Sequence, residues 1–254
     1  MLWRRHSDAV NSALCLRWLS PNPVARLLKT DLFDEACAAG LCSCLTSRAR
    51  SLFGIDLSSN TVLKARARHP TIRGLATDVR RLPFACASFD VVVSNSTLDH
   101  FQTRRDIAIS LGEIHRVLQS GGKLLITLDN LANPAIAVRN RLPVSLLNRF
   151  GWVRYYVGAS CDPDDLREML GQAGFVLQEM EAIFHHPSVV AVGLARLLQS
   201  RASPRLQQRY LSFLLAFERL SRLPMRFRTG HYVAALACKL SRQESRAQDM
   251  RPSR

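Results

Sequence analysis

Three carboxylates and one run of small residues hold most of the chemical potential in this chain. Asp34 opens the segment Asp34, Glu35, Ala36, Cys37, Ala38, Ala39 and Gly40, and Asp56 and Asp78 follow at the expected ends of two further strands. A strand that breaks into small residues and then a helix presents backbone N–H groups and the positive end of the helix to a ligand. A carboxylate about twenty residues later, at the end of the next strand, can accept hydrogen bonds from both hydroxyls of a ribose. Together the turn and the acids point to a nucleoside-bearing ligand.

Strands and helices must position these groups, and the apolar pattern supplies them in alternation. A helix over residues 1–20 ends near Pro21 and Pro23, and a short helix or turn over 24–28 leads to a first strand at 31–35. The turn at 36–40, a helix at 41–48 and a second strand at 51–55 follow, the last assigned from its flanks and β-type residues. Ser58 to Asn60 caps a helix at 61–68, which Pro70 stops. Strand three is brief, 74–77, and strand four, 89–94, is an apolar run of the kind buried on both faces of a parallel sheet. An apolar stripe at Ile107, Leu111, Ile114, Val117 and Leu118 predicts a helix over 105–119, closed by Gly121 and Gly122 ahead of strand five at 123–129. Five strands alternating with helices predict a doubly wound, mostly parallel sheet.

Beyond this core, 133–150 is partly helical in pattern. Asp162, Pro163, Asp164 and Asp165 form a strong helix start for 166–173. Strand six is expected at 175–183 and strand seven, antiparallel and last, at 231–240. Between them two basic helical stripes over 184–228 predict a cap insertion. The reading is one domain over 1–240, with N-terminal helices at 1–29, a ligand-binding core at 30–130, and a polar, disordered tail at 241–254.

With 254 residues, 47% of them apolar and 22% charged, the chain has an ordinary globular composition. Its net charge is +15, and 31 of the 35 basic residues are arginine. Such a balance suits an anionic surface or substrate as well as plain compositional bias. No run of about 18 uncharged apolar residues is present, so nothing is expected to span a bilayer. Seven cysteines lack the spacing of a zinc module or a disulfide scaffold, which suggests a reducing, cytoplasmic setting. Cys37, Cys42 and Cys44 are expected to be buried, inert thiols, and no metal site is assigned. The amphipathic, arginine-bearing first twenty residues read as a helix covering the ligand cleft in preference to a mitochondrial presequence.

Five stretches together resemble the class I methyltransferases that use S-adenosylmethionine, in the small-molecule group that includes the ubiquinone and menaquinone C-methyltransferases. They are DLFDEACAAG, GIDLS, ATDVRRLPF, SFDVVVSNSTLDHF and EIHRVLQSGGKLLIT, within coverage of about residues 30 to 183. The resemblance implies a Rossmann-like fold of seven strands and S-adenosyl-L-methionine as cofactor. The family's acid-x-Gly-x-Gly-x-Gly turn falls on Asp34 to Gly40, where only Gly40 keeps a glycine. Ala36 and Ala38 occupy the first two glycine positions, and alanine costs about 1–2 kcal/mol wherever positive φ is required.

By the same resemblance Asp56 holds the ribose hydroxyls, Leu57 packs on the adenine, and Asp78 with the backbone of Val79 reads its amino edge. Asn95, Ser96 and Thr97 lie beside the amino-acid moiety. A sulfonium carbon is already a good electrophile, so the protein mainly aligns the acceptor and excludes water. A base is needed only for a hydroxyl or a carbon acid, and His100 with Asp99, just past strand four, is the preferred candidate. His185 and His186, near the cap, are weaker ones. The expected acceptor is a small molecule, apolar or lipid-like, and the basic cap could rest on an anionic membrane. A non-catalytic binding protein with the same fold is the alternative. An RNA methyltransferase is disfavoured, because NSTLDH stands where an Asn/Asp-Pro-Pro-aromatic signature would be and no aromatic–basic module is present.

Overall fold

Apolar runs bounded by turns build the strands, and the helices between them dictate their order. The computed structural model describes residues 2–142 and 158–240. Helix α1 (Leu2–Trp18) leads to β1 (Val24–Lys29), the short helices α2 (Phe33–Cys37) and α3 (Cys42–Thr46), then β2 (Ala49–Asp56), α4 (Ser59–Arg68) and β3 (Ile72–Ala76). Next come β4 (Phe89–Asn95), α5 (Arg104–Val117), β5 (Leu118–Asp129), α6 (Pro134–Arg141), α7 (Pro163–Gln172) and β6 (Phe175–Ile183). Helices α8 (Ser188–Arg201), α9 (Pro204–Ala216) and α10 (Arg226–Thr229) precede the last strand, β7 (Tyr232–Lys239). The sheet runs β3-β2-β1-β4-β5-β7-β6. β7 is antiparallel to both neighbours and the other pairings are parallel, as the alternation of elements predicts.

One face of the sheet packs on α1, α3 and the segment between β6 and β7 through Val10, Leu14, Leu27, Val93, Leu236 and Leu45. The other packs on α5 and α7 through Ile107, Leu111, Leu166, Val92 and Leu124. Helix α7 starts where its acids predict, with Asp162 and Asp165 forming a reciprocal capping box and Pro163 in the first turn. Helices α8 and α9 lie against α1. Among the described residues of these helices Ala191, Ala195, Leu211 and Leu214 are buried, whereas Leu194 and Leu197 are exposed. The alanine face of α8 is small, which lets the helix sit close to its neighbours. The expectations for 143–150 and for the tail lie outside the described residues.

The first strand is displaced from its predicted place. It occupies Val24–Lys29, where a short helix or turn is expected, and not 31–35. VARLLK has no alternating pattern of its own; pairing of Leu27 with Leu52 on one side and Val91 on the other buries Leu27 and Leu28. Tertiary pairing thus overrides local preference. In consequence Asp34 does not end a strand, and Ala36 and Cys37 are helical, not part of a turn. Ala38 is extended, with φ −152°. Neither Ala36 nor Ala38 sits at positive φ, so the strain anticipated for alanine does not arise; the left-handed residue of the loop is Gly40, with φ +55°.

Candidate active site at the carboxyl ends of the strands

At the end of β1 stands a cation. Lys29 is 1% exposed and its Nζ lies 2.9 Å from Asp31 Oδ2 and 2.9 Å from Glu35 Oε2. It also donates to the Asp31 carbonyl at 2.8 Å. Burial pulls the ammonium pKa down, but the charges of Asp31, Glu35 and Asp34 outweigh it and hold Lys29 above its ordinary range. Glu35 is fully buried, and its Oε1 accepts the Leu41 N–H at 2.8 Å. Lys29 and Glu35 therefore tie β1, α2 and the start of α3 together. The first amides of α2 are also taken: Leu32 N–H donates to Asp56 Oδ2 at 3.2 Å and Phe33 N–H to Asp31 Oδ1 at 3.2 Å.

Gly40 is held in this loop for two reasons. Its φ is left-handed, and a Cβ there would come within 2.5 Å of Glu35 Oε1. Gly40→Ala is expected to cost at least about 1–2 kcal/mol of stability from the backbone alone, with displacement of the Glu35 carboxylate in addition. Thermal melts of the two proteins check this, and an unchanged melting temperature would contradict the loop geometry.

The second and third strand ends bring the predicted acids to one edge. Asp56 accepts from Leu32 N–H and, at 2.8 Å, from Ser58 N–H, which uses one lone pair on each oxygen and leaves the others. Leu57 beside it is 76% exposed. Asp78 is clamped by Arg80 through Nε (3.1 and 3.0 Å) and Nη2 (2.6 Å), and Arg80 reaches on to Asp106 at 2.8 Å. The Arg80 hydrogen bonds hold the Asp78 carboxyl below its ordinary range. The side chain of Val79 is buried.

At the end of β4, Thr97 joins a hydroxyl network with Thr30 (3.0 Å) that continues to Ser94, and it lies 3.4 Å from Asp31 Oδ2. Asn95 Oδ1 accepts from Thr127 at 3.0 Å. Ser96 takes a left-handed φ of +47°, and its N–H donates to Thr127 Oγ1 at 2.9 Å. Backbone strain of this kind clusters at functional sites.

Asp99 and His100 separate at this point. Asp99 is 3% exposed and turned inward, accepting from Ser96 Oγ at 2.9 Å and Asp129 N–H at 3.1 Å, whereas His100 is exposed. Burial, then the charge of Asp129, pushes the Asp99 carboxyl up to about 7 against the pull of His100 and of these hydrogen bonds. A carboxyl with a folded pKa above its unfolded value of about 4 binds its proton more tightly when folded, so stability falls as pH rises from about 4 to about 7. Asp99→Asn is expected to flatten that decline. Denaturation of both proteins at about pH 5 and about pH 8 checks it; an equal stability difference at the two values would contradict the titration.

The amino end of helix α1 reaches the loop that carries Asp34. Arg4 forms an ion pair with Asp34 and lies over the Phe33 ring. Asp8, one turn later, is pushed up to about 6 by burial and by the charge of Asp34. Two recesses in the surface lie elsewhere, one at the amino ends beside Leu19, Val24 and Lys123 and one on the β3 edge beside Phe53, Arg66 and Phe84. Of the weaker candidates, His185 is buried with Nδ1 2.7 Å from Thr229 Oγ1 and Nε2 2.8 Å from the Ala182 carbonyl. His186 is buried near α1. Cys42 and Cys44 are buried as expected, but Cys37 is exposed because it ends α2 on the solvent side. Lys29, Thr30, Asp31 and Arg4 were not foreseen; the signal for the first three is the polar KTD closing an apolar run.

Comparison with known proteins agrees with this architecture. Residues 33–126 match a family model described as a methyltransferase domain. A malonyl-[acyl-carrier protein] O-methyltransferase of Herminiimonas arsenicoxydans is 36% identical over 101 residues, covering 39% of this chain and 36% of the relative. A malonyl-[acyl-carrier protein] O-methyltransferase of Methylovorus sp. is 26% identical over 232 residues, covering 78% and 73%. The chain thus spans about a third of the first relative's length and about three quarters of the second's. Among solved structures, phosphoethanolamine N-methyltransferase 2 of Haemonchus contortus in complex with S-adenosyl-L-methionine superposes with a TM-score of 0.61 at 18% identity, covering 91% of this chain and 52% of that one. The likeness shows the fold: the chain has the Rossmann-like α/β architecture of solved methyltransferase structures, and the match to the methyltransferase domain model runs over residues 33–126. The two curated relatives are O-methyltransferases by name, not quinone C-methyltransferases.

Proposed function

We propose that this chain transfers the methyl group of S-adenosylmethionine to a small acceptor, with the cofactor lying across the carboxyl ends of β1, β2 and β3. The observation that carries the reading is Asp56, whose spare lone pairs stand at the end of β2 beside the exposed Leu57 within the matched domain. Asp56 takes the ribose hydroxyls and Leu57 the adenine face. Asp78 and the Val79 N–H take the adenine amino edge. Asn95, Ser96 and Thr97 flank the amino-acid moiety, and the loop Asp34, Glu35, Ala36, Ala38 and Gly40 approaches it from β1. Bound there, the cofactor supplies an electrophilic methyl carbon on a sulfonium. Asp31, Asp34 and Glu35 outnumber their partners Lys29 and Arg4 by one, which leaves a net negative charge in the loop to offset the sulfonium, and α1 excludes water.

His100 serves as base where the acceptor is a hydroxyl or a carbon acid, and Asp99, turned inward onto Ser96 and the Asp129 N–H, fixes the loop that carries it. Calorimetry with S-adenosylmethionine and S-adenosylhomocysteine tests the proposal. One equivalent of each should bind, and no heat at about 1 mM, the weak end of specific binding, would refute it.

The acceptor is apolar and, on a second observation, anionic. Val190, Leu194, Leu197, Leu206 and Phe213 are exposed on α8 and α9 among Arg196, Arg205 and Arg209, in a chain of net charge +15. Such a surface suits an acyl chain that carries a carboxylate, consistent with the names of the two malonyl-[acyl-carrier protein] O-methyltransferases, or an anionic bilayer from which a lipid-like acceptor enters. Flotation with anionic and neutral liposomes separates the two. Salt-sensitive binding to the anionic vesicles supports the membrane route, and its absence leaves a soluble acyl acceptor.

A further inference from the structure

Two histidines on opposite sides of the cap interface stand buried without partners. His6, on α1, is 0% exposed and His186, after β6, is 3% exposed. None of their four ring nitrogens has a hydrogen-bond partner. The Leu214 carbonyl is near enough to His6 to raise its pKa slightly, but it does not meet hydrogen-bond geometry at either nitrogen. The rings meet edge to face, with centroids 4.7 Å apart and planes at 87°, beside Trp3 and Phe184. Burial of an unpaired polar group is costly, and four such atoms in one place call for a ligand.

Glu218 completes the group. One ligand atom from each of His6, His186 and Glu218 lies within 4.8 Å of the others. A tetrahedral zinc shell places its ligand atoms about 3.3 Å apart, so modest side-chain rotation closes the site. Glu218 is already aimed: its Oε2 accepts the Phe184 N–H at 3.1 Å and its Oε1 the His185 N–H at 3.2 Å. A second lone pair stays open on each oxygen, and backbone partners of this kind orient ligating carboxylates. Phe184 adopts a left-handed φ of +62°, and its amide and the next both reach Glu218. An imidazole offers a lone pair at neutral pH without any shift, and here the ring nitrogens of both histidines have no hydrogen-bond partner to occupy it.

We propose that His6, His186 and Glu218 hold one divalent cation of the zinc class, with a fourth position for water, stapling α1 to the cap at the carboxyl end of β6. Two imidazoles and one carboxylate are the donor set of a borderline ion and not of calcium or magnesium. The site is distinct from the strand-end acids and does not depend on the methyl-transfer reading.

The test is titration of the chelator-treated full chain with Co²⁺ and Zn²⁺, read by visible absorption and calorimetry. One equivalent should bind with nitrogen and oxygen ligation and no thiolate-to-cobalt charge transfer. Glu218→Gln and His186→Gln should each weaken binding more than about 100-fold, beyond the range seen for outer-shell changes. His6→Phe keeps the ring packing and guards against a simple folding defect. Without metal it should melt no lower than the parent, and with saturating Zn²⁺ the parent should melt higher while His6→Phe does not respond. No binding by the parent, equal affinity in the variants, or a sulfur charge-transfer band would overturn the proposal.

Discussion

Lys29→Met should destabilise the fold by about 3–5 kcal/mol, the usual result of removing one partner from a buried ion pair. Glu35 has no solvent to turn to, and Asp31 loses the ammonium that now lies 2.9 Å away. Methionine fills a similar volume, so the loss reports the stranded carboxylates and not a cavity. Lys29→Met with Glu35→Gln should recover much of it, because the glutamine oxygen still accepts the Leu41 N–H now held by Oε1. Urea denaturation of the parent, the single and the double variant forms the cycle. A loss below about 1 kcal/mol for Lys29→Met would mean that the carboxylates are solvated or protonated, and the account of the loop would fall.

That ion pair also explains what the sequence could and could not disclose. Strand β4 was legible because Phe89 to Val93 is apolar enough to be buried on both faces whatever its neighbours, and α7 because its acids satisfy the first amides locally. β1 was not, since VARLLK carries an arginine and ends in a lysine, and nothing local says that Lys29 is inside. Its burial depends on Glu35, which depends in turn on Gly40 and Leu41 for its own position. The candidate site shows the same division. Asp56 and Asp78 could be placed from the strand–acid–helix pattern alone. The inward turn of Asp99 depends on Ser96 and on the backbone of Asp129, and the cover supplied by Arg4 is a contact with Asp34 across the fold. His6 and His186 have no sequence spacing that could have joined them.

Asp56 is where the legible and the illegible parts of the site meet, and Asp56→Ala should weaken binding of S-adenosylhomocysteine by about 2–3 kcal/mol, or roughly 30- to 150-fold. The ribose hydroxyls would lose a charged acceptor that no neighbouring side chain replaces, since Asp31 and Glu35 are engaged with Lys29 and Asp34 with Arg4. The substitution also frees the Leu32 and Ser58 amides, so part of its effect is on the loop itself. Asp56→Asn separates the two: its amide oxygen can keep one of those amides while the charge is gone, and it should bind between the parent and the alanine variant. Calorimetry on variants whose melts remain cooperative is the measurement. Parent-like affinity in folded Asp56→Ala would remove the ribose assignment, and with it the observation on which the cofactor reading rests.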